Sequence, residues 1–472
     1  PINGCTVIGG DRMIALSLET IAQVTQGALS TITQSQANQL MIKSISTDSR
    51  KIDDACLFIA LAGDRFDAHD FIADVKQKGA VAVLVNRKID VECPQIIVKD
   101  TRLAMGHIAA YIRSLSNAKI VALTGSSGKT SVKEMTASIL RHCGETLYTH
   151  GNLNNDIGVP LTLFRLTPEH RFAVIELGAN HIGEIAYTVD MVKPDSALVN
   201  NLFSAHIEGF GSLQGIAQAK GEIFTGLKEQ GTAIINQQSN DVALWQQHFN
   251  SRQTQWSFSL SADTQADFYP TDIVVNQLTT DFTLHTPEGC VAITLPLPGR
   301  HNIANALAAS ALALSVGATL TDIQQGLAVL KAVPGRLYPV ELTTGKIVLD
   351  DTYNANDGSM MAGLQVLSQL PGYKIFVAGD MAELGEDSEK CHRDVGRFAH
   401  QVGIDRVLTV GHYSQFISQE NEGGEHFSFK ADLLTQLIPL LQQHDVVSVL
   451  VKGSRSSAME DIVNALKECF EC

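Results

Sequence analysis

A chain of 472 residues is too long for one ordinary hydrophobic core, so two to four domains are expected. Its 44% hydrophobic and 18% charged residues are those of a soluble globular protein, neither disordered nor membrane-spanning. A formal net charge of −15 argues against nucleic acid or an anionic membrane as partner, so an anionic substrate must be held by local cations, helix N-termini or metal.

In chain order, Met13 is the first possible initiator, and residues 1–12 are read as an extension and left out of the fold. The first domain, 13–116, alternates strands at 57–61 and 80–85 with helices at 69–78 and 101–115. A polar break at 114–118 closes it. The second domain, 117–334, carries strand-like runs at 119–123, 172–177, 196–200 and 232–236 between helical stretches, the pattern of a parallel sheet covered on both faces. Short polar strands are expected within 266–297, then a long Ala/Leu helix opened by residues 299–306, whose apolar run 304–316 reads as buried core. The third domain, 335–472, restarts the alternation with strands at 347–350, 374–378, 406–410 and 446–451, and reads as Rossmann-like and doubly wound. The whole is α/β. No apolar run reaches the ~18 residues that a membrane helix needs. Eight scattered cysteines suit reduced thiols in a cytoplasm, and Cys469 and Cys472 read as frayed terminal thiols rather than a redox pair.

The most informative run lies at the second domain's first strand. Thr124-Gly125-Ser126-Ser127-Gly128-Lys129-Thr130-Ser131 joins an apolar strand to a helix with apolar residues at helical spacing. Glycines allow backbone N–H groups and a helix N-terminus to approach phosphate. Lys129 would reach the outer phosphates, and the Thr130 hydroxyl would ligate Mg²⁺. Leu123 stands where the longer phosphate-loop pattern has its first glycine, which leaves a shorter G-x-x-G-K-T loop. These residues point to ATP.

Other candidates are weaker taken singly. Glu176 ends a buried strand, where ligands gather in an open α/β sheet, and is a Mg²⁺ ligand candidate against the alternative of a solvated strand end. His206 and Lys220, read from their residues alone, are an ordinary loop histidine and a solvated helical lysine. Asn302 and Asn305 share a helix face and could read an adenine edge, with helix capping by Asn302 the competitor. Asp350 to Asn356 is a polar cluster directly after a strand, and Lys452 to Ser456 repeats the arrangement with cations suited to a carboxylate or phosphate.

Together these segments resemble the Mur ligases of peptidoglycan synthesis from Met13 onward. The short nucleotide loop is similar to that family's. Ser46, Thr47, Asp48, Ser49 and Arg50, with Phe66, Asp67 and His69, look like its uridine-nucleotide site. Asn152, Asn154 and Asn155 resemble the segment facing the muramoyl peptide. The resemblance implies that Glu176 and His206 bind Mg²⁺, and that Lys220 carries a carbamate organising a second Mg²⁺. It further implies that His301, Asn302 and Asn305 line the adenine, and that Arg336 and Asp351 close over the phosphates. Residues 351–356 and 379–385 resemble the family's F-type branch, with Asp357 departing where many relatives have proline. Tyr353, Asn354 and Arg455 are the candidates for the dipeptide.

The activity so implied is ATP-driven amide formation through an acyl phosphate, joining D-alanyl-D-alanine to UDP-N-acetylmuramoyl-tripeptide, by a monomer whose third domain closes about a hinge near Pro334 and Gly335. An E-type or folylpolyglutamate synthase-like ligase is the alternative within the class. A nucleotide-gated binding protein that merely hydrolyses ATP is the alternative outside it. No general base for the incoming amine stands out.

Overall fold

The computed structural model describes residues 13–63, 66–203, 207–239, 242–262 and 265–470. Within them, three α/β units each centre on a mostly parallel sheet. The first sheet runs Ala28–Ser30, Gln95–Ile97, Ala82–Val85, Cys56–Ile59, Ser44–Ser46, antiparallel only at the Ala28–Ser30 edge.

The second sheet is parallel throughout. Its order is Thr254–Phe258, Thr232–Asn236, Ser196–Val199, Lys119–Thr124, Phe172–Glu176, Thr146–Tyr148. Successive side chains of a strand face opposite layers, so a strand buried on both faces must be apolar at every position. Val121 and Leu123 pack with Val132 and Met135 of the helix Lys129–Cys143 and Ile303 and Leu307 of the helix Arg300–Ser315. Ile120 and Ala122 face the other way, toward Ile108 and Ile112 of the helix Thr101–Leu115. That helix therefore joins the first unit to the second through one continuous core. Register then places Glu176 beside Leu123, and Val199 beside Thr124, so three strand ends reach one edge.

A three-stranded antiparallel sheet, Tyr269–Val275, Thr280–Thr286 and Gly289–Leu295, covers the region where short polar strands are expected. The third unit has the order Tyr338–Thr343, Lys346–Asp351, Val447–Lys452, Tyr373–Ala378, Arg406–Val410, Gly424–Phe427, with only its first strand antiparallel. Asp351 and Ala378 both pair with Lys452, which brings those strand ends to one edge as well.

One expected helix is drawn differently. The 69–78 stretch splits into a 3-10 turn, Ala68–Phe71, and the helix Ile72–Gln77, because the Asp67 carboxylate accepts the His69 N–H and starts the turn early. The core helix begins at Arg300, where the sequence opens it, behind Gly299 at φ +93°. The edge strands Thr146–Tyr148, Thr254–Phe258, Tyr338–Thr343 and Gly424–Phe427 have no counterpart in the sequence reading, since short, partly exposed edges lack an apolar run. Among the described residues no helix is long and apolar enough to cross a membrane.

Candidate nucleotide site

The turn after Thr124 takes its shape from two glycines, Gly125 at φ +156° and Gly128 at φ +75°. Crowding excludes a side chain as well: a Cβ on Gly128 would lie 2.5 Å from Asn305 Oδ1 and 2.7 Å from Asn200 Nδ2. Asn200 and Asn201, which follow the strand Ser196–Val199, pin the turn from the side. Ser127 N–H donates to Asn201 Oδ1 at 2.8 Å, and both amides donate to the Ser127 carbonyl at 3.0 Å. Lys129 Nζ donates to the Gly125 carbonyl at 2.8 Å, folding the ammonium over the loop. Burial lowers the Lys129 pKa, with Glu176 opposing and Arg336 reinforcing the effect. An N-terminal helix turn behind a glycine loop and a cation is suited to polyphosphate.

Thr130 and Glu176 meet as the register requires. Thr130 Oγ1 donates to Glu176 Oε2 at 3.1 Å, and Asn154 Nδ2 donates to Glu176 Oε1 at 2.8 Å. The Glu176 N–H donates to Thr149 Oγ1 at 3.0 Å, and the residue is buried. A hydroxyl and one oriented carboxylate are hard oxygen donors, and they fit Mg²⁺, which keeps several waters and takes phosphate oxygens rather than an all-protein cage. Among the described residues no group of three acidic, histidine or cysteine side chains sits together.

The opposite wall comes from the helix Arg300–Ser315. Asn302 is not its cap, because Gly299 holds that position. Its Nδ2 donates instead to the Pro298 carbonyl at 2.8 Å, Asn305 Nδ2 donates to Asn302 Oδ1 at 3.3 Å, and Asn200 Nδ2 donates to Asn305 Oδ1 at 3.1 Å. His301 is lowered to about 4 by burial, and further by Lys452, against the raising effect of Asp351.

Residues of the third unit complete a cleft of about 680 Å³. Arg336 NH2 reaches Thr130 Oγ1 at 2.9 Å, and Asp351 Oδ2 pairs with the buried Lys452 Nζ at 2.6 Å. Tyr353, Asn354 and Asn356 line the same cleft.

Several expected residues fall elsewhere. Lys220, on the helix Leu213–Gly221, is buried rather than solvated, with Nζ 5.6 Å from the Phe210 ring. Burial, then the Lys129 charge, pushes its pKa well below the ordinary lysine value. His206 lies outside the described residues. Arg455 is exposed and paired with Glu460, outside the cleft lining, so the dipeptide role expected for it has no support from position. Asn152 is exposed and also outside the lining, whereas Asn155 does line the cleft and accepts the Gly158 N–H at 2.9 Å just ahead of the helix Gly158–Leu163.

The expected uridine residues form a separate cluster on the first unit. Asp48 accepts Arg50 Nε at 2.9 Å and NH2 at 2.8 Å, which holds its carboxyl well below the usual range. The Ser46 hydroxyl donates to the Asp48 carbonyl at 3.1 Å, and Thr47 and Ser49 flank it. Asp67 is likewise depressed, first by the His69 N–H and then by Arg87. Phe66 beside it is exposed. Asn200 and Asn201 carried no role in the sequence reading, although amides immediately after a buried strand are a signal that could have found them, and Asn356 was singled out only as part of the polar cluster 350–356.

Comparison with known proteins gives a consistent picture. Residues 123–313 match the family model described as the Mur ligase middle domain, 335–455 the Mur ligase glutamate ligase domain, and 41–122 the Mur ligase family catalytic domain. The UDP-N-acetylmuramoyl-tripeptide–D-alanyl-D-alanine ligase of Escherichia coli (strain K12) is 57% identical over 460 residues, covering 98% of this chain and 100% of the relative. The Haemophilus influenzae protein of the same name is 46% identical, covering 98% and 100%. A crystal structure of MurF from Acinetobacter baumannii superposes with a TM-score of 0.90 at 40% identity, covering 97% of this chain and 100% of that one. MurF from Thermotoga maritima in complex with ADP gives 0.81 at 26% identity, covering 91% and 98%.

Proposed function

The chain belongs to the Mur ligase family, and from that premise we propose that it joins D-alanyl-D-alanine to UDP-N-acetylmuramoyl-tripeptide in the cytoplasm, at the expense of ATP. What carries the reading is the meeting of Lys129, the Thr130–Glu176 pair and Arg336 at one sheet edge, facing a cleft shared by the second and third units. The division of labour we assign is uridine nucleotide on 13–116, ATP on 117–334 and dipeptide on 335–472.

The peptide's terminal carboxylate attacks the γ-phosphorus, the bond to the β-bridging oxygen breaks, and ADP leaves an acyl phosphate. The neutral amine of the dipeptide then adds to the acyl carbon, loses a proton, and the tetrahedral adduct expels phosphate as the amide forms. Positioning and charge compensation dominate such transfers. Lys129 and the helix N-terminus bind the triphosphate, Arg336 adds positive charge from the third unit, and Asn154 keeps the Glu176 carboxylate oriented. His301, Asn302 and Asn305 form the adenine wall. Thr130 and Glu176 would hold Mg²⁺, whose chemistry there would be charge neutralisation at the phosphate oxygens. A second ion would be held by His206 and a carbamate on Lys220. Burial of Lys220 supports that modification, because only a neutral amine adds CO₂, releasing one proton as the carbamate forms.

The test is incubation with Mg·ATP, UDP-N-acetylmuramoyl-tripeptide and D-alanyl-D-alanine, followed by mass detection of the new amide. Omitting the dipeptide and adding hydroxylamine traps the acyl phosphate. ATP hydrolysis without an amide product would overturn the assignment.

A further inference from the structure

Two consecutive serines of the phosphate loop lead to the same helix of the third unit. The Ser127 Oγ sits between both atoms of the Asn356 amide, receiving Nδ2–H at 2.9 Å and donating to Oδ1 at 3.2 Å. Asn356 is fixed in turn. Its Oδ1 accepts the Ser359 N–H at 2.8 Å and its own N–H donates to Ser359 Oγ at 3.0 Å, a reciprocal cap on the helix Asp357–Gln369. Beside it, Ser126 Oγ donates to the Phe203 carbonyl at 3.0 Å and accepts the Phe203 N–H at 2.9 Å. The Phe203 ring lies against Gly358, where a Cβ would come within 2.9 Å of it.

Capping alone would account for a polar residue at 356, and serine or aspartate would serve equally. It accounts neither for an amide long enough to span the cleft to Ser127 nor for the parallel contact through Phe203. Ser127 itself is clamped by Asn200 and Asn201, so the hydrogen bond joins two stiff frames. Such a bond weakens steeply when one frame shifts by an ångström. We infer that Asn356 is a positioning residue for the transfer step, coupling the seating of nucleotide on the loop to the orientation of the helix Asp357–Gln369 and the unit it belongs to. This rests on the reading above that nucleotide occupies the loop and the dipeptide the third unit.

The experiment is a double-mutant cycle of Ser127→Ala and Asn356→Ser, the latter keeping a cap but falling short of Ser127. Each single change lowers kcat about tenfold while the nucleotide KM stays within about twofold, and the double variant is no slower than the worse single one. Gly358→Ala, although alanine is the better helix former, lowers kcat in the same way by displacing Phe203. Losses that multiply in the double variant, a wild-type kcat in Asn356→Ser, or a loss confined to nucleotide KM would overturn the coupling. X-ray scattering with a non-hydrolysable ATP analogue separates this from the activity itself. A nucleotide-induced compaction present in the wild type and lost in Asn356→Ser supports the coupling even if no amide forms, and equal compaction in both overturns it.

Discussion

Arg336 and Thr130 share a hydrogen bond of 2.9 Å between the third unit and the end of the phosphate loop, while the Arg336 guanidinium lies 4.5 Å over the Tyr353 ring. The hydroxyl that also meets Glu176 is thereby within reach of a cation from another unit. Arg336→Ala should lower kcat by roughly 10²-fold, and Arg336→Lys should recover little, because a lysine lacks the planar fork and the stacking face. Steady-state kinetics decide this, and near-normal turnover in either variant would remove Arg336 from the phosphates. Lys129→Ala should abolish turnover with an unchanged melting temperature.

Lys220 offers a buried amine whose pKa is pushed well below the ordinary lysine value by burial and then by the Lys129 charge. Depleting CO₂ from the buffer should slow the enzyme, and bicarbonate should restore it. Isotope-labelled bicarbonate should give a carbamate signal that Lys220→Ala lacks. Replacing the buried amine by an apolar side chain of similar length should not lower thermal stability much, so loss of activity in a folded Lys220→Met protein is the expected pattern. Indifference to CO₂ would leave the lysine a packing residue.

His301 is neutral well below the pH at which a free imidazole charges. Its folded pKa of about 4 lies below the ordinary 6.5, so on acidification the unfolded chain takes up the proton first. The contribution to stability is complete above pH ~6.5 and is lost as pH falls toward 4. Urea unfolding should show His301→Gln losing less stability than the wild type between pH 7 and 4, by on the order of 2 kcal/mol. Parallel pH curves for the two proteins would show that His301 charges freely in the fold.

Gly335 joins the second unit to the third at φ +77°, with Tyr353 packed against it so closely that a Cβ would lie 3.2 Å from the Tyr353 Cβ. Gly335→Ala should cost about 1 kcal/mol of stability, because an L-residue resists this conformation. It should also reduce the compaction seen by scattering when nucleotide and substrates are added together. Unchanged scattering in the wild type would rule out closure about this joint.

The phosphate loop and Glu176 were legible because local sequence encodes them. A strand buried on both faces must be apolar, a turn against phosphate must be glycine-rich, and the residue ending a strand falls at the sheet's ligand edge. Asn302 and Asn305 were legible as neighbours on one helix face, because Gly299 and Arg300 open that helix, but their bonding was not: the Pro298 carbonyl accepts from the Asn302 amide, and the Asn200 amide reaches Asn305 from another strand end. Lys220 was misjudged from its residues alone: a helix rich in small residues does not reveal that Trp245 packs on Gly221 and closes the surface around it.

The sequence by itself determined the α/β alternation, the order of the three units and the chemical kinds of group available, because propensity, apolar period and turn chemistry act within a few residues. Only the tertiary structure decided that Asn154 orients Glu176, that Asn200 and Asn201 brace the loop, and that Arg336 and Asn356 cross from the third unit to Thr130 and Ser127. Those partners lie tens to hundreds of residues apart. What selects them is strand register and the packing of whole units, and neither leaves a periodic trace around the residue concerned.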